Sequence, residues 1–178
     1  MYILASKSPR RHELLKQVIP EFQIICSNVD ESKIQAEPHE LPKVLSKLKA
    51  EAIFKDHPND IIIAADTIVL FNEKIYGKPQ DENDAFRMLK DLSNETHEVI
   101  TGFTILSKDT FIVDSVTTKV TFNYLSDQLI LNYIKECQPL DKAGAYGIQD
   151  KVFNLVKQID GSYSNVMGLP IEKLKMIL

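Results

Sequence analysis

The spacing of hydrophobic positions changes several times along the chain, and each change predicts a different element. A short apolar run, Tyr2 to Ala5, predicts a first strand. Ser8 followed by Pro9 is typical of a helix N-terminus, and apolar residues at positions 14, 15 and 18 give that helix one buried face. The chain therefore begins with a predicted strand-to-helix turn.

The longest apolar run, Asp60 to Phe71, is nearly continuous in β-branched and apolar residues. Such a run is typical of a central strand that is buried on both faces. Further strands are predicted by their apolar patterns over residues 22–26, 98–106, 111–124 and 152–159. Further helices are predicted through Lys49 and Phe54, after Asp81, after Ser126 and from Pro170.

The order of these elements favours a mixed sheet, because strands and helices interleave without strict alternation. A chain of 178 residues that is 44% hydrophobic is long enough for one sizeable core. No internal repeat or Gly/Ser-rich linker divides it. We therefore expect a single α/β domain over residues 1–178, with a long mixed twisted sheet flanked by helices and two lobes around a central cleft.

Composition and charge narrow the class of protein. The formal net charge is −4, whereas nucleic-acid-binding proteins usually carry a basic stripe, so no nucleic-acid partner is expected. No apolar run approaches the roughly 18 residues needed to span a bilayer, so no membrane association is expected. Cys26 and Cys137 form no Cys-x-x-Cys pair, and the short apolar N-terminus lacks the form of a signal peptide. We expect a soluble, cytoplasmic protein with reduced cysteines.

Asp66 is the most informative single residue, because it places a carboxylate inside the predicted central strand. Removing a carboxylate from water costs several kcal/mol unless another group pairs with it. A structural aspartate that caps a loop or forms an ion pair is one explanation. The other is a functional carboxylate at the carboxyl end of a strand, where open α/β sheets bind their ligands. We favour the functional explanation, and Thr67, which follows directly, is positioned to contact the same ligand.

The turn from Ser6 to Arg11, with the sequence Ser-Lys-Ser-Pro-Arg-Arg, is the second candidate. Backbone N–H groups at a helix N-terminus, two hydroxyl groups and two guanidinium groups together suit a phosphate. Ser-x-Ser-Pro is equally compatible with a simple helix cap, so this turn alone does not decide between the two functions.

Other polar residues give weaker signals when each is taken alone. Lys49 lies on a predicted helix, where most lysines are solvated, and Lys78 lies in a Gly-Lys-Pro turn that lacks the spacing of a P-loop. Asp30 and Glu31 are compatible with a surface charge pair. The four histidines show no metal-ligand spacing and are expected to be structural or exposed: His12, His39, His57 and His97.

Taken together and in order, these fragments resemble the Maf family of nucleotide pyrophosphatases, and the similarity covers nearly the whole chain. In the N-terminal half the matching segments are Leu4-Ala-Ser-Lys-Ser-Pro-Arg-Arg11, Val29-Asp-Glu31, Lys49-Ala50, Ala65-Asp-Thr67 and Gly77-Lys-Pro79. In the C-terminal half they are Thr96-His-Glu-Val-Ile-Thr-Gly102, Asp141-Lys-Ala-Gly-Ala-Tyr-Gly-Ile-Gln149 and Gly161-Ser-Tyr-Ser-Asn-Val-Met-Gly-Leu-Pro170. No single segment is decisive, but this many segments in register are specific.

The resemblance implies a Maf/ITPase-like fold, a homodimer and hydrolysis of nucleoside triphosphates between the α and β phosphates. By position, Asp66 is similar to the proton acceptor, and Glu31 and Asp66 to the ligands or second-shell partners of magnesium or manganese. Positions tied to base choice are matched by Arg10, Thr67 and Gln149. Phosphate or nucleotide contacts are implied for Ser6, Ser8, Arg11, Lys49 and Lys78.

General chemistry agrees with these roles. A triphosphate carries about four negative charges, so its site needs a metal and several cations. Hard oxygen ligands suit magnesium, which is often held by one or two carboxylates and the substrate phosphates. Asp66 is then expected to accept the proton of the water that attacks the α-phosphorus.

The late motif that ends at Gln149 resembles the branch of the family that acts on dTTP and UTP. A Gln amide offers both a donor and an acceptor, which match the N3–H and carbonyl edge of uracil or thymine. Relatives usually have Gly after this Gln, but here Asp150 follows and adds a negative charge. Asn94 stands where Gly is common and is tolerated if the turn requires a positive φ.

Three alternative functions remain open from the sequence. The first is a pyrophosphatase for 7-methyl-GTP or another modified nucleotide. The second is a non-catalytic nucleotide-binding regulator of cell division, although Glu31 and Asp66 together favour catalysis. The third is a nucleic-acid-binding module, which the acidic balance disfavours.

Overall fold

The computed structural model describes residues 1–178, with seven strands and six helices. The strands are β1 (Tyr2–Leu4), β2 (Gln23–Ile24), β3 (Ile61–Phe71), β4 (Lys74–Tyr76), β5 (Thr96–Leu106), β6 (Phe111–Phe122) and β7 (Val156–Asp160). The helices are α1 (Pro9–Lys16), α2 (Leu41–Phe54), α3 (Glu82–Leu92), α4 (Asp127–Cys137), α5 (Tyr163–Met167) and α6 (Ile171–Ile177). None of these helices combines the length and apolar character needed to cross a membrane.

The strands form a mixed sheet in the order β2-β1-β3-β5-β6-β7, with β4 paired to β3. β1 is parallel to both β2 and β3, whereas the β3–β4 and β6–β7 pairs are antiparallel. The predicted mixed sheet is thereby confirmed, and the apolar run that predicted a central strand does form the central β3.

The residues group into two compact units. The first unit contains residues 1–67, 100–116 and 164–178, and the second contains residues 68–99 and 117–163. Strands β3, β5 and β6 each contribute residues to both units. The assignment of the whole chain to a single domain around a cleft stays a prediction.

In the first unit, alternate residues of β3 belong to two different cores, as expected for a strand that is buried on both faces. Ile63 and Ala65 pack with α1, α6 and the buried Phe103 of β5. Ile62 and Ala64 pack with the apolar face of α2. Helices therefore cover both faces of this part of the sheet, which confirms the predicted layers.

The helix starts follow the predicted capping residues. The side chains of Ser8, Asp81 and Ser126 accept hydrogen bonds from the third backbone N–H of α1, α3 and α4, respectively. Asn94 has a φ of 60°, so the turn does require the left-handed conformation that asparagine tolerates.

Three details differ from the predicted elements. β2 has only two residues, and β4 and α5 were not predicted. The late strand starts at Val156 rather than Val152, because residues 151–153 form a 3₁₀ turn and Asn154 adopts a φ of 50°. A left-handed residue interrupts the extended backbone, and this conformation has no signature in the hydrophobic pattern.

In the second unit, α3 and α4 pack against each other through their apolar faces. The loop between β4 and α3 is joined to residues 142–145 by a hydrogen bond from the Gly144 N–H to the Gly77 carbonyl, at 3.1 Å. This bond brings the Gly-Lys-Pro segment beside the segment that leads to Gln149.

Gly102 of β5 explains how α2 approaches the sheet so closely. A Cβ atom on Gly102 would lie 2.3 Å from the Pro42 carbonyl carbon and 2.4 Å from the Lys43 nitrogen. Both contacts are to backbone, which cannot move aside as a flexible side chain can. The start of α2 therefore packs directly on the bare backbone of β5.

We predict that Gly102→Ala lowers the free energy of unfolding by about 3 kcal/mol, because the added methyl group forces α2 away from β5. Urea denaturation measures the change. Gly77→Ala is the matched control, since a Cβ atom there would meet nothing within 4 Å. Equal stability of the two variants would contradict this account of the packing.

Candidate active site

The first turn of α1 forms a compact polar surface after β1. The Ser6 hydroxyl accepts hydrogen bonds from the Ser8 N–H at 3.2 Å and from Arg11 Nη1 at 3.4 Å. The His12 ring lies 2.8 Å from the Ser6 carbonyl through its Nε2 atom. Both serines predicted to bind phosphate therefore help to shape the turn itself.

Arg11 is tied to three separate segments of the first unit. Its Nε donates to the Gly168 carbonyl at 2.7 Å, and its Nη2 donates to the Thr67 hydroxyl at 3.0 Å. With the contact to Ser6, three of its five N–H donors point to protein acceptors. Arg11 therefore holds the turn in place, in addition to any contact it makes with a phosphate.

Charge and burial act in opposite directions on Arg11. Desolvation lowers the pKa of its guanidinium group, while the nearby carboxylates of Asp66 and Glu31 raise it and the neighbouring Arg10 lowers it. The group stays cationic at neutral pH. The turn and the two carboxylates therefore lie within electrostatic range of each other.

Lys49, Glu31 and Asp66 form the second cluster of the first unit. The Lys49 ammonium lies 2.7 Å from an Asp66 oxygen and 3.0 Å from a Glu31 oxygen. The side chains of Lys49 and Asp66 are 12% and 13% exposed, whereas that of Glu31 is 46% exposed. A largely desolvated carboxylate is thus compensated by a largely desolvated ammonium.

Asp66 does not lie at the carboxyl end of its own strand, because β3 continues to Phe71. That part of the expectation was wrong. The parallel neighbour β1 ends at Leu4, which pairs with Ile63. Asp66 and Thr67 therefore extend beyond the end of β1, where the sheet leaves room for polar side chains.

The carboxylates of Glu31 and Asp66 suit a divalent cation in their chemistry. Both already face one positive charge, the Lys49 ammonium, and both supply the hard oxygens that magnesium or manganese prefers. No group of three or more His, Cys, Asp or Glu side chains in the chain could hold a metal ion. Magnesium is compatible with this, since it often takes only one or two protein carboxylates and fills its remaining positions with water and substrate oxygens.

Lys78 and Gln149 belong to the second unit and are both exposed. The segment that carries Gln149 is fixed by Tyr133, whose hydroxyl accepts from the Gly147 N–H at 2.9 Å and donates to Asp150 at 2.6 Å. The carboxylate of Asp150, which adds a negative charge after Gln149, therefore accepts a hydrogen bond from a phenol. Burial raises the pKa of Tyr133, so the phenol remains a donor at neutral pH.

Gly147 leaves room for two side chains of the same segment. A Cβ atom on it would lie 2.8 Å from the Gln149 amide nitrogen and 2.9 Å from an Asp150 carboxylate oxygen. The Gln149 amide thus folds over bare backbone, next to the carboxylate that Tyr133 holds.

The sequence analysis missed Thr101 and did not single out Gly168. The fully buried Thr101 hydroxyl contacts both Thr67 and the Asn165 carbonyl, and Gly168 accepts from Arg11. A threonine in the apolar half of β5, directly before a glycine, was the one available signal for Thr101.

His97 anchors the second unit from within. Its Nε2 lies 2.7 Å from the Tyr146 hydroxyl, its Nδ1 is buried without a hydrogen-bond partner, and its ring meets those of Tyr146 and Phe122 edge-on. Burial lowers the pKa of His97 from 6.5 to about 4. The imidazole is therefore neutral in the folded protein at neutral pH, which agrees with the structural role predicted for it.

We predict that His97 makes the protein less stable as the pH falls from 7 to 5. In this window the unfolded chain binds a proton at position 97 and the folded protein does not, so unfolding takes up a proton and lowering the pH favours it. The expected loss from this residue is about 2 kcal/mol, measured by urea denaturation at both pH values.

His97→Gln should remove this part of the pH dependence, whereas the same change at the exposed His39 should leave it unchanged. If the free energy of unfolding of His97→Gln depends on pH as strongly as that of the wild type, other groups take up the proton.

Comparison with known proteins finds similarity over the whole chain. The model of the family described as Maf-like protein matches residues 1–178. A dTTP/UTP pyrophosphatase of Thermosipho africanus (strain TCF52B) is 52% identical over 176 residues, which cover 99% of this chain and 91% of the relative. A dTTP/UTP pyrophosphatase of Clostridium botulinum (strain Kyoto / Type A2) is 46% identical over 183 residues, with 99% and 94% covered.

Among solved structures, the Staphylococcus aureus Ham1 protein superimposes with a TM-score of 0.57 at 14% identity. The match covers 99% of this chain and 96% of the Ham1 chain. At this identity the similarity shows a shared fold.

Proposed function

The chain belongs to the family of Maf-like proteins, and from this premise we propose that it is a nucleoside triphosphate pyrophosphatase. It hydrolyses the bond between the α and β phosphates of dTTP and UTP and releases the monophosphate and pyrophosphate. Relatives that are 46–52% identical over nearly the whole chain carry the name dTTP/UTP pyrophosphatase. The observation in this chain that best supports the proposal is the Lys49 ammonium between Glu31 and Asp66, close to the Arg11 turn.

The phosphates bind at the turn that starts α1. Arg10, Lys49 and the remaining N–H donors of Arg11 provide positive charge there, and the turn adds the hydroxyl of Ser8 and the dipole of α1. Because Arg11 is fixed by Gly168 and Thr67, its guanidinium group is oriented before the substrate arrives. A fixed donor loses little freedom when charge develops on the phosphate in the transition state.

Asp66 accepts the proton of the attacking water. It is largely buried and held by Lys49, so its orientation is defined by an ion pair rather than by solvent. Glu31 and Asp66 also hold the divalent ion, magnesium or manganese. When bound, this ion supplies positive charge that offsets the charge on the phosphates.

The nucleobase is read by Gln149, with Arg10 and Thr67 at further positions tied to base choice. Lys78 is a further residue that contacts the nucleotide. Tyr133 holds the Gly147 N–H and the Asp150 carboxylate, so the segment that presents the exposed Gln149 amide is held in place. A restricted amide distinguishes bases better than a mobile one, because a mismatched base leaves its donor or acceptor without a partner.

The protein acts in the cytoplasm and as a homodimer, without nucleic-acid or membrane partners. Its two free cysteines and its formal net charge of −4 agree with this. Light scattering on the purified protein tests the dimer.

Pyrophosphate release from dTTP, UTP, CTP, ITP and 7-methyl-GTP, with magnesium and then with EDTA, tests the proposed reaction. We predict metal-dependent release that is fastest with dTTP and UTP. On the same panel, Gln149→Glu should change the order of the nucleotides more than the affinity for pyrophosphate, because it replaces a donor with an acceptor.

If release is fastest with another nucleotide, the protein is still a pyrophosphatase, but Gln149 does not select uracil or thymine. A uniform loss across the panel would reject base reading by this residue. Nucleotide binding without any release would favour a regulator over an enzyme.

We predict that Asp66→Asn lowers kcat at least about a hundredfold, since the amide cannot accept the proton. Asp114→Asn makes the same chemical change in the same unit, at an aspartate that pairs with Lys173, and should keep kcat within about twofold of wild type. Single-turnover kinetics and circular dichroism separate loss of chemistry from loss of fold. A folded Asp66→Asn variant with near-normal turnover would remove Asp66 from the mechanism.

A further inference from the structure

Thr101 is a fully buried hydroxyl in β5 that lies between two other polar groups of the first unit. Its Oγ1 is 3.0 Å from the Asn165 carbonyl oxygen and 2.9 Å from Thr67 Oγ1. Neither the motif comparison nor the proposed mechanism gives it a role. Its contact with Thr67 nevertheless determines whether the Thr67 hydroxyl can donate or accept a hydrogen bond.

The direction of these hydrogen bonds follows from counting protons. A carbonyl oxygen can only accept, so the single hydroxyl proton of Thr101 points to Asn165. The contact between the two threonine hydroxyls then requires Thr67 to donate its own proton to Thr101. The hydroxyl protons of Thr67 and Thr101 therefore each have a fixed acceptor.

The Thr67 oxygen also accepts a hydrogen bond from Arg11 Nη2, at 3.0 Å. A hydroxyl oxygen has two lone pairs, so one lone pair of Thr67 remains and no proton remains. Towards a ligand, Thr67 is therefore a pure acceptor. An ionised phosphate has only acceptor oxygens and gains nothing from it, whereas an N–H or O–H group does.

The approach to this oxygen is kept open by Gly168. Its φ is +114°, and a Cβ atom there would lie 3.5 Å from Thr67 Oγ1 and 3.3 Å from Arg11 Nε. A side chain at this position would cover both groups. Thr67 itself is only half-buried, so part of the residue faces solvent.

We propose that Thr101 is a positioning residue that fixes the Thr67 hydroxyl as an acceptor for an N–H or O–H donor of the nucleoside. The inference rests on the proposed function, because it takes the ligand to be a nucleotide. In a uridine 5′-nucleotide the nucleoside has three such donors, the N3–H of the base and the 2′- and 3′-hydroxyls of the sugar. Thr67 thus binds the nucleoside and leaves the phosphates to the turn and Lys49.

The test uses nucleoside monophosphates, which bind without any turnover. Calorimetry compares UMP with three analogues, each lacking one donor: 3-methyl-UMP, dUMP and 3′-deoxy-UMP. In the wild-type protein, one analogue should bind about fivefold more weakly than UMP, the usual effect of one hydrogen bond. The analogue that loses affinity identifies the donor.

The variants then assign this loss to the threonine pair. In Thr67→Val the acceptor is gone, so UMP and that analogue should differ by no more than about twofold. In Thr101→Val, the Thr67 proton loses its fixed acceptor and is free to turn towards the ligand, so the difference should shrink, but less than in Thr67→Val, because the Thr67 oxygen keeps its lone pairs. Thr101→Ser keeps the hydroxyl and should restore the wild-type difference, which a purely structural role in packing would not require.

Affinity for inorganic pyrophosphate should be equal in the wild type, Thr101→Val and Thr101→Ser, which all keep the Thr67 oxygen as an acceptor for Arg11. Circular dichroism verifies the fold of all four proteins. If Thr101→Val does not fold, Thr67→Val and Thr101→Ser still decide the question. The proposal is overturned if the wild type binds no UMP, if no analogue loses affinity, or if Thr67→Val keeps the full difference. It is also overturned if Thr101→Val keeps that difference or Thr101→Ser abolishes it. Pyrophosphate release from UTP is measured separately, so a protein with the predicted binding pattern and no release would retain this inference and reject the proposed reaction.

Discussion

The first unit depends on one desolvated guanidinium group. Arg11 donates hydrogen bonds to Ser6 in the turn after β1, to Thr67 in β3 and to Gly168 in the loop before α6. It thereby joins three segments of the first unit. A charged group that loses water must regain hydrogen bonds, and the three acceptors come from segments far apart in the chain. The same bonds fix the geometry of the turn that is proposed to bind the phosphates.

Lys49 is a second charged group that is largely removed from water, and it is paired with carboxylates instead of neutral acceptors. An ammonium between two carboxylates neutralises charges that would otherwise repel each other. Such an arrangement contributes little to stability, because desolvation offsets much of the attraction. In the proposed function the arrangement serves binding, since a phosphate and a divalent ion would both find opposite charge already in place.

Buried phenols organise the interior of the second unit. Tyr133 joins Gly147 to Asp150, and Tyr146 contacts the neutral His97. These hydroxyl groups are protonated at neutral pH, so they define the segment around Gln149 without adding charge near an exposed amide. The largely desolvated Lys49–Asp66 pair belongs to the first unit, whereas ion pairs of the second unit such as Arg87–Asp84 and Lys90–Asp127 are more exposed.

The sequence by itself determined the elements and most of the chemistry. Continuous apolar runs identified β3, capping residues identified α1, α3 and α4, and Asp66 stood out as a charge within a buried strand. These signals are local, because helix caps and periodic burial act over a few neighbouring residues.

Only the tertiary structure decided which of these residues meet. The ion pair of Lys49 with Asp66 and the bonds from Arg11 to Gly168 and from Thr101 to Asn165 join residues 17, 157 and 64 positions apart. No periodic pattern encodes such pairs, because they depend on how the strands register and where helices cross the sheet. The start of the late strand was missed for a related reason, since the left-handed Asn154 leaves no mark on the hydrophobic pattern.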